Sequence, residues 1–289
     1  MPIRSLATSL VQFGPRAVDS AARTPFGRLV RHFVAKMFRG GEESSSEFEL
    51  GIGGILGLLA TPGAFLSLML FDKYSNLLRW FRNQRVFDPY LTSLPDKYVF
   101  IVFAMVITGV VTVLKWDRIL PDRQDYLNLG PLPVRPRTVL LANVTAILLV
   151  AVIFAIDVNA ASMFLFPMVV TAEQGSLAVF LKFVAAHAIC VLLASAFTFF
   201  AVFSLMGILL ATAPKRMFRP LSLSIRAGVI AALLALLVSS FAGPSLVRLL
   251  QAQPDSAVRW LPSLWYLGLY QTLQGRADLA LASAGKMGV

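Results

Sequence analysis

The chain has 289 residues, of which 57% are hydrophobic and 14% are charged, and its mean hydropathy is +0.73. Soluble domains carry about 25% charged residues, so this composition excludes a fold built around one large soluble core. The apolar residues form continuous runs long enough for membrane helices. This continuity excludes a β-barrel, because barrel strands alternate between apolar and polar positions.

The net charge is +11. In a soluble protein this excess would indicate nucleic acid as a partner. Here the basic residues flank apolar runs, where such residues contact anionic lipid head groups and set the orientation of the spans. We therefore expect membrane lipids, and no nucleic acid, as partners. The one cysteine, Cys190, allows neither an internal disulfide nor a cysteine-based zinc cluster.

The N-terminal segment, residues 1–49, is predicted to be cytoplasmic. Its first 25 residues lack the uninterrupted apolar core of a signal peptide, so we expect them to be retained. Residues 26–39 form a basic amphipathic pattern that predicts a helix lying on the membrane surface. The apolar face of this helix consists of Phe26, Leu29, Val30, Phe33, Val34, Met37 and Phe38.

Residues 50–289 are predicted to form the transmembrane domain, with about five spans. The spans are expected at about 50–71, 98–116, 138–156, 177–200 with an extension to 212, and 227–242. The fold class is therefore all-α: a polytopic transmembrane helical bundle with an N-terminal amphipathic interfacial helix.

Three segments near these spans need a separate interpretation. Residues 160–171 are too short to cross a bilayer, so we expect them to be re-entrant or interfacial. Residues 176–212 are too long for one upright span. They form either one helix that leaves the membrane, which we favour, or two segments with a break. Gly243-Pro244 is expected to end the fifth span, and 245–289 to form an outer amphipathic tail with an interfacial helix over 263–280.

Lysine and arginine counts predict the orientation. The segments placed on the inner side carry 16 of these residues, and the segments placed on the outer side carry 9. Basic residues are more frequent in cytoplasmic loops, so the counts favour a cytoplasmic N-terminus in a multi-pass protein of the cell inner (cytoplasmic) membrane.

Catalytic motifs are absent from the sequence. It contains no GxxxxGK[ST] phosphate loop, no HExxH zinc motif and no GxSxG nucleophile motif. The aspartates Asp117, Asp122 and Asp125 alternate with arginines, which is typical of a solvated loop rather than a metal site. We therefore expect no enzymatic activity, no catalytic residues, no cofactor and no metal.

His187 is the one imidazole within an apolar run. Ionisable groups inside a membrane span are functional candidates, so His187 is the intramembrane polar candidate of this sequence. The alternative is a neutral histidine that hydrogen-bonds across helices.

The segment between the second and third spans carries a more specific pattern. Residues 117–137 read DRILPDRQDYLNLGPLPVRPR. This resembles the cytoplasmic loop of ABC-2-type transporter permeases and their bacterial permease-like relatives, in which a PDR-x-D-x-x-x-L-x-PLP stretch precedes the third span. The matching residues are Pro121, Asp122, Arg123, Asp125, Leu129, Pro131, Leu132 and Pro133.

Two further features are similar to this family. One is the basic amphipathic helix before the first span, and the other is the segment 261–270 after the fifth span, where these permeases have an outer amphipathic region. The family usually has a sixth span after that region, so the resemblance implies a truncated or split permease.

The resemblance implies a membrane-spanning permease subunit of an ABC-2-type exporter. It implies a separate ABC ATPase that contacts the coupling loop at the residues named above, and a second permease half in a homo- or heterodimer. Substrate would move without covalent chemistry in this chain. The alternatives are a non-transporting or degenerate membrane scaffold and, less favoured, a membrane-embedded enzyme. The sequence names no substrate.

Overall fold

The structure, a computed structural model, describes residues 24–38, 52–81, 88–116, 134–172, 176–214, 217–253, 256–276 and 279–288, with the backbone alone described at 38, 52–60 and 78–81. Within these ranges the chain forms helices and connecting turns, and no strand is present. The expectation of an all-helical fold is therefore confirmed for the described part of the chain.

Ten α-helices are described in these ranges. They are α1 (Pro25–Phe38), α2 (Ile52–Phe81), α3 (Pro89–Thr92), α4 (Leu94–Leu114), α5 (Pro136–Thr171), α6 (Leu177–Thr212), α7 (Phe218–Ser239), α8 (Gly243–Ala252), α9 (Pro262–Leu273) and α10 (Leu279–Gly285). Short 3-10 turns at Ser240–Ala242 and Ala257–Trp260 precede α8 and α9.

Four helical stretches among the described residues are long and apolar enough to cross a membrane. They are α4, α5, α6 and the path Phe218–Ala252 formed by α7, the 3-10 turn and α8. Large hydrophobic side chains on their outer faces are exposed, which is the pattern that a lipid environment favours. The first predicted span, 50–71, is not one of the four, although the helix α2 covers it and continues for ten residues beyond it.

The helix α5 corrects one prediction. It runs without a break from Pro136 to Thr171, so 160–171 is not a separate re-entrant or interfacial segment. The polar residues at its centre are accommodated inside the helix, because Asn159 donates to the carbonyl of Ala155 and Ser162 donates to the carbonyl of Asn159. Asn159 also donates to Ser195 of α6 over 3.1 Å, which joins two apolar helices by a buried hydrogen bond.

The fifth predicted span, 227–242, lies in α7 and the turn that follows it, because α7 ends at Ser239. The chain continues through the 3-10 turn Ser240–Ala242 into α8, where Pro244 lies in the first turn. Proline is tolerated there because the first backbone N–H groups of a helix have no intrahelical acceptor. In the long segment 176–212, α6 is a single helix, which is the favoured one of the two alternatives.

The chain divides into two compact units, of which the first comprises Met1–Glu49 and Lys115–Val152. In this unit, Leu29 and Phe33 of α1 pack with Ala142 and Ala146 of α5. Phe33 is only 2% exposed. The apolar face of the amphipathic helix therefore contacts protein at these positions, whereas the sequence pattern predicted that it would contact the membrane surface.

The second unit comprises Leu50–Leu114 and Ile153–Val289. Its centre is α4, which packs against α6, α7 and α9. The helix α9 is the largest departure from prediction in this unit. Its residues Leu264, Leu267 and Tyr270 are fully buried in the core shared with α4 and α6, so α9 is an internal helix rather than an interfacial one.

Candidate functional site

Two charged residues lie side by side and buried near the start of α4. Asp96 is 7% exposed and Lys97 is 0% exposed. Charged side chains are rarely buried to this extent unless they are paired, because removing a charge from water is costly. The two side chains reach different partners, so each has its own environment.

Asp96 is held by the C-terminal part of α2. Lys73 donates to both carboxylate oxygens over 2.7 and 2.8 Å, and the hydroxyl of Tyr74 donates to one of them over 2.5 Å. The Lys73 side chain remains 42% exposed. This ion pair therefore lies at the edge of the unit, where solvent or lipid head groups screen it.

Lys97 has no such carboxylate partner among the described residues. Its ammonium nitrogen donates to the backbone carbonyl of Tyr90 over 2.9 Å and to Oε1 of Gln274 over 2.6 Å. It also lies 5.0 Å from the ring centre of Phe183 and 4.9 Å from that of Tyr270. Cation–π contacts of this kind contribute about 2 kcal/mol when they are desolvated. The ring of Tyr90 lies 6.0 Å away as well. Two neutral oxygens and three aromatic rings thus replace the hydration of the Lys97 side-chain nitrogen.

The local sequence explains how these groups reach Lys97. Asp88 caps α3 by accepting from the backbone N–H of Tyr90, with Pro89 in the first turn, and this cap fixes the short helix before α4. Gly275, at a φ of +70°, ends α9 with the paired backbone hydrogen bonds of a Schellman motif. The resulting turn places Gln274 against Lys97 and Arg276 over the ring of Tyr90, at 5.1 Å.

His187 of α6 lies in the same region. Its ring is completely buried and contacts the rings of Phe100, Phe166 and Tyr270, at centroid distances of 5.3, 5.1 and 5.8 Å. Tyr270 contacts both His187 and Lys97, so it connects the two ionisable residues. We name Lys97, Phe183, His187, Tyr270 and Gln274 the Lys97 cluster.

Several buried polar atoms in and beside the Lys97 cluster have no hydrogen-bond partner among the described residues. They are both ring nitrogens of His187, the hydroxyl of Tyr270, both amide atoms of Gln271 and Nε2 of Gln274. Each unsatisfied group costs about 1–3 kcal/mol, and native cores contain few of them. Burial raises the pKa of Tyr270 well above its ordinary value, with a further increase from Cys190, so this hydroxyl is neutral.

No group of three histidine, cysteine, aspartate or glutamate side chains that could hold a metal ion is found within the described ranges. The described geometry places the side-chain nitrogen of Lys97 beside unsatisfied donors and acceptors, which is suited to electrostatic and hydrogen-bonding contacts.

Of the residues predicted from the sequence to be functional, the structure describes only some. His187 lies in the Lys97 cluster. The coupling-loop residues from Pro121 to Pro133 lie outside the described residues. The sequence pattern did not indicate Lys97, because this residue lies directly before the predicted span 98–116. The available signal was the pair Asp96-Lys97 directly before a long apolar run, where a charge is either at the interface or buried.

Comparison with known proteins adds no relative to this description: no family model, no curated protein and no solved structure matches the chain.

Proposed function

We propose that this chain is the membrane-spanning permease subunit of an ABC-2-type exporter, which moves its substrate when a separate ATPase acts on the segment between α4 and α5. The proposal includes a second permease half, an inner-membrane location and a cytoplasmic N-terminus. Its support is the all-helical fold with four membrane-length helices, together with the family resemblance of residues 117–137.

The position of α4 is the observation that carries this proposal. Its 21 residues span about 30 Å, which equals the thickness of the hydrocarbon core of a bilayer. The segment with Asp122, Arg123 and Asp125 follows one end of α4, and the Lys97 cluster lies at the other end. Because a helix is stiff along its axis, a displacement of that segment is transmitted to the contacts of Lys97.

The sequence of the connecting segment suits this role. Prolines at 121, 131, 133 and 136 restrict the backbone, and Pro136 is the first residue of α5. A stiff segment passes movement from a bound ATPase to α4 and α5, whereas a flexible segment would absorb it.

The Lys97 cluster is the counterpart at the far end of α4. It joins α4 to α6 and α9 through few but strong contacts, which exchange readily for contacts with a polar substrate or with water. In the proposed cycle these contacts hold the outer end of the bundle closed until α4 moves.

The test is charge reversal in the connecting segment. The full chain is purified from its native membranes in mild detergent, its co-purifying proteins are identified by mass spectrometry, and ATP hydrolysis is measured after reconstitution in liposomes. Asp122→Arg together with Asp125→Arg is expected to lose the ATPase and the hydrolysis. Asp72→Arg, an exposed position in α2, is the matched control and is expected to retain both.

Two results would overturn the proposal. If the double variant binds and stimulates the ATPase like the wild type, the segment is not the coupling element. If no ATPase accompanies the wild-type chain, a non-transporting scaffold is the better interpretation.

A further inference from the structure

The charged residues of the first unit, within the ranges that the structure describes, are all basic. They are Arg28, Arg31, Lys36, Lys115, Arg135 and Arg137, and no aspartate or glutamate occurs among these described residues. The four arginines are exposed, two of them in α1 and two at the start of α5. None of the four guanidinium groups makes an ion pair with another described residue. This part of the molecule therefore presents positive charge that the described chain does not neutralise.

Both arginine pairs border one small core. This core is formed by α1 and α5, and its members are Leu29, Phe33, Ala142 and Ala146, with Val30, Val34, Val134 and Val139 packed at its edge. Arg135 directly follows Val134 in the chain, so the α5 pair starts at the edge of this core. On α1, positions three apart share a face, which groups Arg28 with Arg31 on the side away from the buried Phe33. The packing of α1 on α5 thus leaves its basic face available to a ligand.

The first turns of α5 indicate where this surface lies in a bilayer. Arg135 and Arg137 are followed by Leu140 and Leu141, which are 61% and 60% exposed. Exposed leucines favour the hydrocarbon, whereas guanidinium groups favour the head groups. The boundary between the two layers therefore falls within this turn of the membrane-length helix α5. Because α1 packs on the next two turns of α5, its long arginine side chains can also reach the head groups.

Burial of the apolar face of α1 determines which chemistry can attract a ligand. A surface helix ordinarily binds a membrane by inserting its apolar face. In α1 the centre of that face is occupied by α5, since Leu29 is 7% and Phe33 is 2% exposed. Attraction at this surface therefore comes from charge. A phosphate group fits it, because guanidinium groups bind phosphate oxygens through paired hydrogen bonds.

We propose that the exposed arginines of α1 and of the start of α5 bind the phosphate groups of anionic phospholipids. The surface selects lipids of net negative charge over zwitterionic lipids, because the described part of the unit has no carboxylate that would attract a choline group. The site does not rest on the proposed export function, since it is defined by the charge of the unit and by the packing of α1 on α5. It also differs from insertion of the apolar face, which would bind charged and uncharged lipids alike.

The experiment measures lipid affinity. Purified full-length protein in mild detergent is titrated with palmitoyl-oleoyl phosphatidylglycerol or, separately, with palmitoyl-oleoyl phosphatidylcholine, and bound lipid is counted by native mass spectrometry. Arg28→Gln together with Arg31→Gln is expected to weaken phosphatidylglycerol binding about 25-fold, because each basic residue near an anionic head group contributes about fivefold. Arg135→Gln together with Arg137→Gln is expected to weaken it similarly. Binding of phosphatidylcholine should be weaker in the wild type and unchanged in both variants.

Two further variants separate the site from net charge and from misfolding. Arg248→Gln together with Lys286→Gln removes the same charge at exposed positions of the second unit and is expected to retain phosphatidylglycerol. Arg28→Lys together with Arg31→Lys keeps the charge and is expected to retain most of the binding. Each variant is first checked for the thermal unfolding temperature of the wild type, which should not change because the substituted side chains are exposed.

The supporting result is loss of phosphatidylglycerol in both glutamine pairs, with retention in the lysine pair and in the control from the second unit. Equal binding in all variants would overturn the proposal, and equal loss in the control would assign binding to net charge. Equal binding of the two phospholipids by the wild type would assign it to the acyl chains. Binding that appears only after Glu42→Gln with Glu43→Gln would assign the arginines to the chain's own acidic segment and would also overturn the proposal.

Discussion

An apolar cleft lies between α4, α6 and α7, lined by residues that include Met105, Ala201, Leu205, Ala232 and Leu236. The Lys97 cluster and this cleft both use α4 and α6, but their polar atoms are bonded differently. In the cleft, the hydroxyls of Thr198 and Ser239 bond to their own helices. In the Lys97 cluster, His187 and Tyr270 keep polar atoms without partners, beside a buried ammonium group.

Because of this difference, the stability of each region depends on a different property of its side chains. The cleft has satisfied polar groups and spare volume, so its energetics depend on shape. The Lys97 cluster has little exposure and unsatisfied polar atoms, so its energetics depend on charge and hydrogen bonding. Substitutions that change one property at a time separate the two regions.

Charge reversal in the Lys97 cluster is expected to have the largest effect. Lys97→Glu places a carboxylate against the Tyr90 carbonyl, Oε1 of Gln274 and two aromatic faces. Burying a carboxylate that has no donor or cation beside it costs several kcal/mol, so the variant should fail to accumulate or should unfold at a much lower temperature. Thermal unfolding of detergent-purified protein measures this.

Lys286→Glu is the matched control for that substitution. It makes the same charge reversal at an exposed side chain, where solvent screening reduces the penalty. Equal destabilisation by the two reversals would show that Lys97 is not in a special environment.

Substitution of Gly268, in α9, is expected to give the next largest loss of stability. A Cβ atom added at Gly268 would lie 2.2 Å from the carbonyl oxygen of Leu281 and 2.7 Å from the backbone nitrogen of Gly285. Backbone atoms of α10 cannot move aside easily, so Gly268→Ala should cost about 3 kcal/mol. The control is Gly207→Ala, where nothing lies within 4 Å and alanine should stabilise the helix by up to about 1 kcal/mol. The free energy of unfolding is measured by denaturant titration. If it falls in both variants or rises in both, this packing of α9 on α10 is contradicted.

Beside the cleft, a glycine-to-alanine substitution should lower the free energy of unfolding much less. A Cβ atom at Gly109 would lie 2.6 Å from Cδ1 of Leu233 and 3.0 Å from Cγ2 of Thr198. Leu233 borders the cleft and can turn into it, so Gly109→Ala should cost about 1 kcal/mol or less. A loss as large as that of Gly268→Ala in the same titration would mean that the cleft wall is rigid.

The smallest effect is expected from Tyr270→Phe at neutral pH. This change removes a hydroxyl that has no partner within the described residues, so the variant should be at least as stable as the wild type. The pKa of Tyr270 is raised in the folded protein, chiefly by burial. Its contribution to stability is therefore present below the ordinary tyrosine pKa of about 10 and declines as the pH rises above it.

The phenylalanine variant lacks this titration and should become the more stable of the two proteins above about pH 10. Unfolding curves of both proteins at neutral and at alkaline pH measure the difference in stability between them and its sign. A large loss of stability at neutral pH would show that the hydroxyl has a partner that the described residues do not provide.

Much of the helical framework was predictable from the sequence, because long apolar runs indicate helices whatever their packing. One error arose where a helix was expected to stop. The third span was predicted to end at residue 156, but α5 continues through Asn159, which bonds to its own helix and to Ser195 of α6.

The candidate site was less predictable than the fold. His187 was visible as a polar residue in an apolar run. Its neighbour Lys97 was not, because the acceptor Gln274 is 177 positions away along the chain. A single sequence gives no measure of such a long-range pair. The burial of α9 escaped prediction for the same reason, since its uneven pattern is equally compatible with a membrane surface and with a packed interior.

The most direct test of this account is the sidedness of the two ends of α4. Asn76→Cys, exposed in α2 close to the Lys73–Asp96 pair, and Asp125→Cys, in the connecting segment, are each made in a Cys190→Ala background, which removes the chain's one cysteine. Intact cells are treated with a membrane-impermeant maleimide. We expect labelling of Asn76→Cys in intact cells and of Asp125→Cys only after permeabilisation. Labelling of both positions from the same side would contradict the claim that α4 connects a cytoplasmic coupling segment to an outer cluster.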